Sequence, residues 1–232
     1  MYKTVLLKLS GEALGSSSGP YDFKTLDELA KQIKAIVKKG VKVGVVVGGG
    51  NICRGKTFEK MGMDRKESDY VGMMATVMNA KILGTALTKN KVLNKVFTAY
   101  PVSRVDDYDA KKALNYLKKG YVCVFGGGTG KPFFSTDTAC ALRAKDINAE
   151  VILFAKNGVD GVYDSDPDEN PNAKRYDELS FDDIIKNKLG VIDLSAAEIC
   201  KKNHIEGFVF DMSAKDGIKK SINKKITGTT IK

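Results

Sequence analysis

The sequence predicts an α/β fold, a three-layer α/β/α sandwich around a mostly parallel sheet. Three observations carry this expectation. Apolar, β-branched runs of strand length alternate with longer stretches of helical period from one end to the other, a pattern that puts parallel strands between helices. Three of the predicted strands run straight into glycine-rich turns, the places where open α/β sheets bind ligands. The 232 residues, 43% hydrophobic and 28% charged, suffice for one well-buried domain.

The elements follow in order. Val5 to Leu9 reads as a strand, and Leu26 to Lys38 as a helix, with Leu26, Leu29, Ile33, Ile36 and Val37 near 3.6 spacing. Asp22 or Thr25 caps its start and Gly40 ends it. Val41 to Val47 is a buried strand. Ser68 to Leu87 is a long helix whose Met73, Met74 and Met78 are expected to face the core. Val96 to Ala99 and Tyr121 to Phe125 are strands flanking a helix over Asp109 to Lys118. A helix over Thr136 to Asp146 and a strand over Val151 to Ala155 come next. The polar, turn-rich stretch Asp164 to Pro171 follows, a place where two lobes of the domain could divide. Helices over Phe181 to Lys186, Ala196 to Asn203 and Lys215 to Ile222, with strands at Gly207 to Phe210 and Thr229 to Ile231, complete the chain.

Composition narrows the chemistry. Four widely spaced cysteines (Cys53, Cys123, Cys140, Cys200) and a lone histidine, His204, exclude the usual zinc patterns and argue against a disulfide framework. No apolar run approaches the ~18 residues of a membrane helix, and Met1 to Thr4 leads directly into a strand, so no signal peptide is expected. The net charge is +10, from 38 basic and 28 acidic residues. Only five of the 38 are arginines, the side chain suited to bidentate phosphate and base recognition. Scattered lysines without interleaved aromatics weigh against a nucleic-acid groove.

The glycine turns are Ser10-Gly11-Glu12, Gly48-Gly49-Gly50-Asn51 and Gly126-Gly127-Gly128-Thr129-Gly130-Lys131-Pro132. Glycine lets backbone N–H groups close on a phosphate, since no Cβ intervenes. Neither a P-loop nor a dinucleotide fingerprint fits, because Phe125 stands where the former needs glycine and Cys53 where the latter does. Lys8 is a cation one residue before the end of an apolar strand, a position from which it can neutralise a transferring phosphoryl group; a snorkelling edge-strand lysine is the other reading. Arg54 could clamp a second phosphate. Asp69, Asp137 and Asp166 each read singly as a cap or surface carboxylate; as a set around glycine turns they could orient a lysine, a sugar hydroxyl or a metal.

These residues resemble a known family. Lys8-Leu9-Ser10-Gly11-Glu12-Ala13-Leu14, Gly48 to Gly55 and Asp69 to Asn79 are similar to the bacterial uridylate (UMP) kinases of the amino acid kinase family. So are Thr129-Gly130-Lys131-Pro132-Phe133-Phe134-Ser135-Thr136-Asp137 and Asn157 to Pro167. The match runs the length of the chain. It implies ATP-binding roles for Lys8, Leu9, Ser10, Gly11, Gly50, Arg54, Asn157, Tyr163 and Asp166. It implies UMP-binding roles for Gly49, Asp69 (through the ribose hydroxyls) and Thr129, Gly130, Lys131, Pro132, Phe133, Phe134, Ser135 and Thr136. Lys8 and Asp137 would be the catalytic pair, with Asp193 near the site. Two departures stand out: Cys53 replaces a common Phe, and Gly15 to Pro20 lacks the character of the segment found in GTP-activated members.

The resemblance thus implies transfer of the γ-phosphoryl group of ATP to UMP, giving UDP and ADP in pyrimidine nucleotide synthesis. Mg²⁺ would be held mainly by the ATP phosphates and not by a protein metal site. It further implies a cytoplasmic homohexamer, with an acceptor-binding part over about residues 1–145 and an ATP-binding part over about 146–232. Another kinase of the same fold, acting on a carboxylate or carbamate, is the nearest alternative. A basic nucleic-acid-binding regulator is the more distant one.

Overall fold

A computed structural model describes residues 1–53, 55–167, 169–187 and 189–232, with the backbone alone at 55 and 56. Strand β1 (Thr4–Leu9) ends in a 3-10 turn over Gly11–Leu14 and leads to helix α1 (Phe23–Val37) and β2 (Lys42–Val47). Helices α2 (Gly55–Lys60) and α3 (Arg65–Lys89) precede β3 (Asn94–Thr98) and the two-residue β4 (Asp106–Asp107). Then come α4 (Ala110–Lys118), β5 (Val122–Gly126), α5 (Thr136–Asp146) and β6 (Val151–Lys156). A small hairpin, β7 (Val162–Tyr163) with β8 (Arg175–Tyr176), is followed by β9 (Glu178–Leu179), α6 (Phe181–Asn187) and α7 (Leu194–Lys202). The chain closes with β10 (Glu206–Asp211), α8 (Gly217–Ser221) and β11 (Gly228–Ile231).

Nine strands form one sheet in the order β4-β3-β5-β2-β1-β6-β10-β11-β9. Every neighbouring pair is parallel except β10 and β11. The sheet continues from β6 to β10 across the Pro-rich stretch, so the division into lobes anticipated there does not interrupt it. Strand β1 lies at its centre, with Lys8 opposite Val46 of β2 and Phe154 of β6. Lys8 is therefore not an edge residue, and the edge-strand reading of it is corrected.

Alternation along β1 separates two cores. Val5, Leu7 and Leu9 pack with Leu29 and Ile33 of α1, Leu83 and Leu87 of α3 and Ile218 of α8. Leu6 faces the opposite layer, with Leu117 of α4, Cys140 and Ala144 of α5, Ile184 of α6 and Ala197 of α7. The central strands are apolar on both sides because helices cover both.

Helix starts follow their caps. The Asp22 carboxylate accepts from Lys24 and Thr25 N–H, and Asp64 accepts from Lys66 and Glu67 N–H. Helix α3 therefore begins one turn before the expected start, and Asp69 lies inside it. Its methionines divide: Met73 is buried, whereas Met74 and Met78 are each 52% exposed. The expectation of a wholly core-facing methionine stripe is corrected, because residues 74 and 78 fall on the side of α3 turned from the sheet.

Candidate active site

The sheet order β5-β2-β1 puts the three glycine turns side by side at the carboxyl ends of adjacent parallel strands. The first two touch. A Cβ on Gly11 would lie 2.5 Å from both Gly50 N and Asn51 Oδ1, so only glycine permits this approach. Asn79 of α3 fixes the second turn by donating to Gly48 O (2.6 Å) and Asn51 Oδ1 (2.7 Å), while Tyr21 donates to Asn79 Oδ1 (2.8 Å). The third turn is held at its base, where Gly127 N donates to Thr76 Oγ1 at 2.8 Å.

Lys8 shares the side of β1 that carries Leu6, which is the side covered by α5. Its Nζ lies 3.1 Å from Oδ1 of Asp137, in the first turn of α5. Ser135, not Asp137, caps this helix through the Thr138 N–H, so the cap reading of Asp137 gives way to an ion pair. Burial works against the charge on Lys8, but the Asp137 carboxylate outweighs it and holds its pKa above the ordinary lysine value. Lys156 ends the neighbouring strand β6 on the same face. Burial lowers its pKa, and the Lys8 cation beside it lowers it further, against the opposing pull of Asp137. Two lysines thus stand beside the Asp137 carboxylate, with Glu12 acting on Lys8 from the first turn. Such cations can neutralise a phosphoryl group.

Beside this cluster opens a cleft of about 640 Å³, bounded by Gly49 and Gly50, by Asp69 and Thr76 of α3, and by Phe133 to Thr136. Asp69 has both oxygens engaged: Oδ1 accepts from Arg65 Nε (3.2 Å) and Oδ2 from the Phe133 N–H (2.6 Å). It is not the helix cap, which is Asp64. Asp193 closes the far wall, accepting from the Ser135 hydroxyl, from Thr138 Oγ1 (3.1 Å) and from Ala196 N (2.8 Å). It ties the start of α7 to the start of α5.

The remaining expected residues are distributed unevenly. Lys131 lines the cleft; Thr129, Gly130 and Pro132 belong to the same loop without lining it. Asn157 borders a second hollow of about 640 Å³, with Glu12, Lys24 and Lys215, at the ends of β1 and β10. Tyr163 sits on the β7–β8 hairpin and donates to Asp160 Oδ1 at 2.6 Å. Asp166 is exposed in the following turn, where its carbonyl accepts from Asn170 N. Leu9 and Ser10 continue β1 into the first turn. Arg54 lies outside the described residues.

Lys156, Asn79 and Thr76 were not singled out from the sequence, although each carried a signal. Lys156 repeats the Lys8 pattern, a lysine closing an apolar strand. Asp69, Thr76 and Asn79 are spaced at helical intervals in an otherwise apolar segment, so their polar groups share one face.

The thiols add no nucleophile. Burial raises the pKa of Cys53, pushes Cys200 up to about 12, and holds Cys140 well above its ordinary value. Among the described residues there is no group of three or more His, Cys, Asp or Glu side chains placed to hold a metal ion. Among the same residues no helix is long and apolar enough to cross a membrane. The Asp137 carboxylate beside the lysines is already engaged by Lys8, and phosphate oxygens are common partners of a divalent cation.

The sequence model of the Amino acid kinase family matches residues 3–211. The Uridylate kinase of Mycoplasma capricolum subsp. capricolum is 47% identical over 234 positions, covering 99% of this chain and 98% of its own. That of Mycoplasmopsis pulmonis is 42% identical over 235 positions, covering 100% and 97%. Among solved structures, the UMP kinase from Ureaplasma parvum superposes with a TM-score of 0.94 at 37% identity, covering 100% of this chain and 99% of that one. The UMP kinase from Bacillus anthracis gives 0.95 at 36% identity, covering 99% and 96%.

Proposed function

The chain belongs to the amino acid kinase family, and on that premise we infer that it is a uridylate kinase, moving the γ-phosphoryl group of ATP onto UMP to give UDP and ADP. The Lys8–Asp137 pair, set 3.1 Å apart beside the glycine turns, supports phosphoryl transfer, and the likeness to Uridylate kinases at 47% and 42% identity supports UMP as the acceptor. A phosphate acceptor is already ionised at neutral pH, so its attack needs no general base. The site must instead align two anions and screen their charge. Asp137, engaged with Lys8, suits that work and not proton abstraction.

In the mechanism we assign, Lys8 and Lys156 neutralise charge that grows on the transferring group and the leaving oxygen. Asp137 keeps the lysines oriented. Backbone N–H groups of Ser10, Gly11 and Gly50 approach the ATP phosphates, with Leu9 alongside; a phosphate-binding role for Arg54 rests on the family resemblance alone. Asn157, Tyr163 and Asp166 take the adenosine. Gly49 and the loop from Thr129 to Thr136 take UMP, and Asp69 accepts from its ribose hydroxyls. A carboxylate has about four lone-pair sites, so the Arg65 and Phe133 bonds leave room for two more. Mg²⁺, entering with ATP, supplies further neutralisation of the phosphates.

We also propose the division of labour expected from the sequence, an acceptor part before about residue 145 and an ATP part after it. The cytoplasm, where nucleotides and free thiols coexist, is the proposed compartment. A homohexamer is the proposed assembly, and the exposed Met74 and Met78 on α3 offer apolar surface for contact between copies; sedimentation of the purified chain tests it.

A coupled ADP-release assay across the nucleoside monophosphates, with carbamate and carboxylate acceptors alongside, tests the activity. UMP should be the preferred acceptor. Turnover of a carboxylate or carbamate without turnover of UMP would move the chain to another branch of the family.

A further inference from the structure

Over residues 126–130 the third glycine turn carries one side chain, that of Thr129, which bonds to Lys131 within the same loop. Gly127, Gly128 and Gly130 all sit in the left-handed region, at φ of +76°, +58° and +81°. Such a turn depends on its surroundings, because glycine has the most backbone freedom to lose. Thr76 holds Gly127 N and the Ala99 N–H donates to Gly126 O. At Gly128, between them and Thr129, the contact comes from Arg143 on α5, whose Nη2 donates to the carbonyl at 3.3 Å.

Arg143 is almost fully buried, at 7% exposure. Its guanidinium lies 3.6 Å over the ring of Tyr108. That ring is itself wedged edge-on against Phe97 (6.3 Å, 89°) and Phe125 (5.6 Å, 85°). The Tyr108 hydroxyl donates to Asp146 Oδ2 at 2.7 Å, and the same oxygen lies 3.5 Å from Arg143 Nη1. A continuous chain of contacts therefore runs from the aromatic core between β3 and β5, through Tyr108 and Arg143, to a single carbonyl of the turn.

An arginine is an expensive residue to place there for stability alone. Its ion pair with Asp146 is long, and a well-packed apolar side chain often equals or exceeds a buried ion pair in stability. What the guanidinium adds is direction: a flat donor, stacked on a ring packed edge-on by Phe97 and Phe125, aimed at one oxygen.

We infer that Arg143 is a positioning residue for the acceptor loop, setting the affinity for UMP through the Gly128 peptide without touching the nucleotide. The inference rests on the reading that residues 129–136 hold UMP.

The test compares wild type, R143M and R143K by steady-state kinetics and by hydrogen–deuterium exchange of the chain alone. R143M should raise KM for UMP roughly tenfold to a hundredfold, the scale on which small misplacements act, and leave KM for ATP unchanged. Exchange should quicken over residues 126–135 and stay as in wild type over 8–11 and 48–51. R143K should resemble R143M, because an ammonium group keeps the charge but neither stacks flat nor presents a fork. Equal rises in both KM values, unaltered exchange over 126–135, or full rescue by lysine would overturn the inference. If R143M does not fold, R143K is read by the same criteria. Absence of turnover with UMP in wild type would indict the functional reading instead, and exchange alone would then decide the role of Arg143.

Discussion

Period-two alternation along β1 sends Val5, Leu7 and Leu9 to one core and Leu6 and Lys8 to the other, and that parity decides what Lys8 can touch. With its amine 3.1 Å from Asp137, Lys8→Ala should lower kcat on the order of 10²–10³-fold, the loss typical of one removed transition-state donor, with KM for UMP much less affected. Steady-state kinetics of the folded variant check this; near-normal kcat would remove Lys8 from the chemistry. Lys156 gives a pH prediction. Its pKa is lowered and that of Lys8 is raised, so Lys156 is the first of the two cations lost as pH rises. The alkaline limb of kcat/KM, which reports the free enzyme, should therefore fall below the ordinary lysine pKa. Lys156→Arg, charged at every accessible pH, should move that limb upward, and an unmoved limb would assign it to another group. The lowered pKa also means that protonated Lys156 weakens folding, a penalty present below its folded pKa and relieved as pH rises toward the unfolded value. In the sequence, Lys8 stood out as a cation near the end of an apolar strand that runs into a glycine turn, and its pairing with Asp137 followed from the family resemblance. Lys156 did not stand out, since only the pairing of β6 beside β1 brings its otherwise identical pattern to the same site. Arg143, six residues beyond Asp137, carries no signal of its own in the sequence; only the fold brings Tyr108 and Gly128 against it.

Helix α3 carries two carboxylates five residues apart, one that caps it and one proposed to meet the ribose of UMP. Asp64 caps it by accepting from Lys66 and Glu67 N–H; Asp69, a turn later, faces the cleft and holds Phe133 N. Asp64→Ala should cost about 1 kcal/mol, a melting shift of roughly 2–4 °C for a chain of this size, and leave substrate selection alone. Asp69→Ala should raise KM for UMP and erase most of the preference for UMP over dUMP. That preference should be roughly 10- to 150-fold in wild type, the worth of one hydrogen bond to a charged acceptor. Thermal melts and the UMP/dUMP ratio of kcat/KM, measured on both variants, separate the roles; an unchanged ratio in Asp69→Ala would refute the ribose contact. At this scale the long elements were legible because β-branched runs and 3.6-residue periods are strong signals. The two-residue strands β4, β7, β8 and β9 and the short α2 carry no period at all, and only tertiary pairing defines them. Met74 and Met78 misled for the opposite reason. They extend the apolar pattern of α3 onto a side that the sheet does not cover.

The whole molecule turns a simple topology into a divided site. Because β5, β2 and β1 are adjacent and parallel, their three turns meet at one edge, and α5 delivers Asp137 and Arg143 from the layer beneath. Most of the cleft is built before residue 146; Asp193, Leu194 and Ser195 are the part contributed by the later chain. Asp193, which accepts from Ser135 and Thr138, links the start of α7 to the start of α5. In the proposed reaction this arrangement brings an ionised phosphate acceptor in line with ATP beside Lys8 and Asp137. The most direct test is to supply [γ-³²P]ATP, Mg²⁺ and UMP and locate the label in the products. Label should appear in the β-phosphate of UDP, at a rate that Lys8→Ala greatly reduces. Label released as inorganic phosphate with UMP untouched would contradict it.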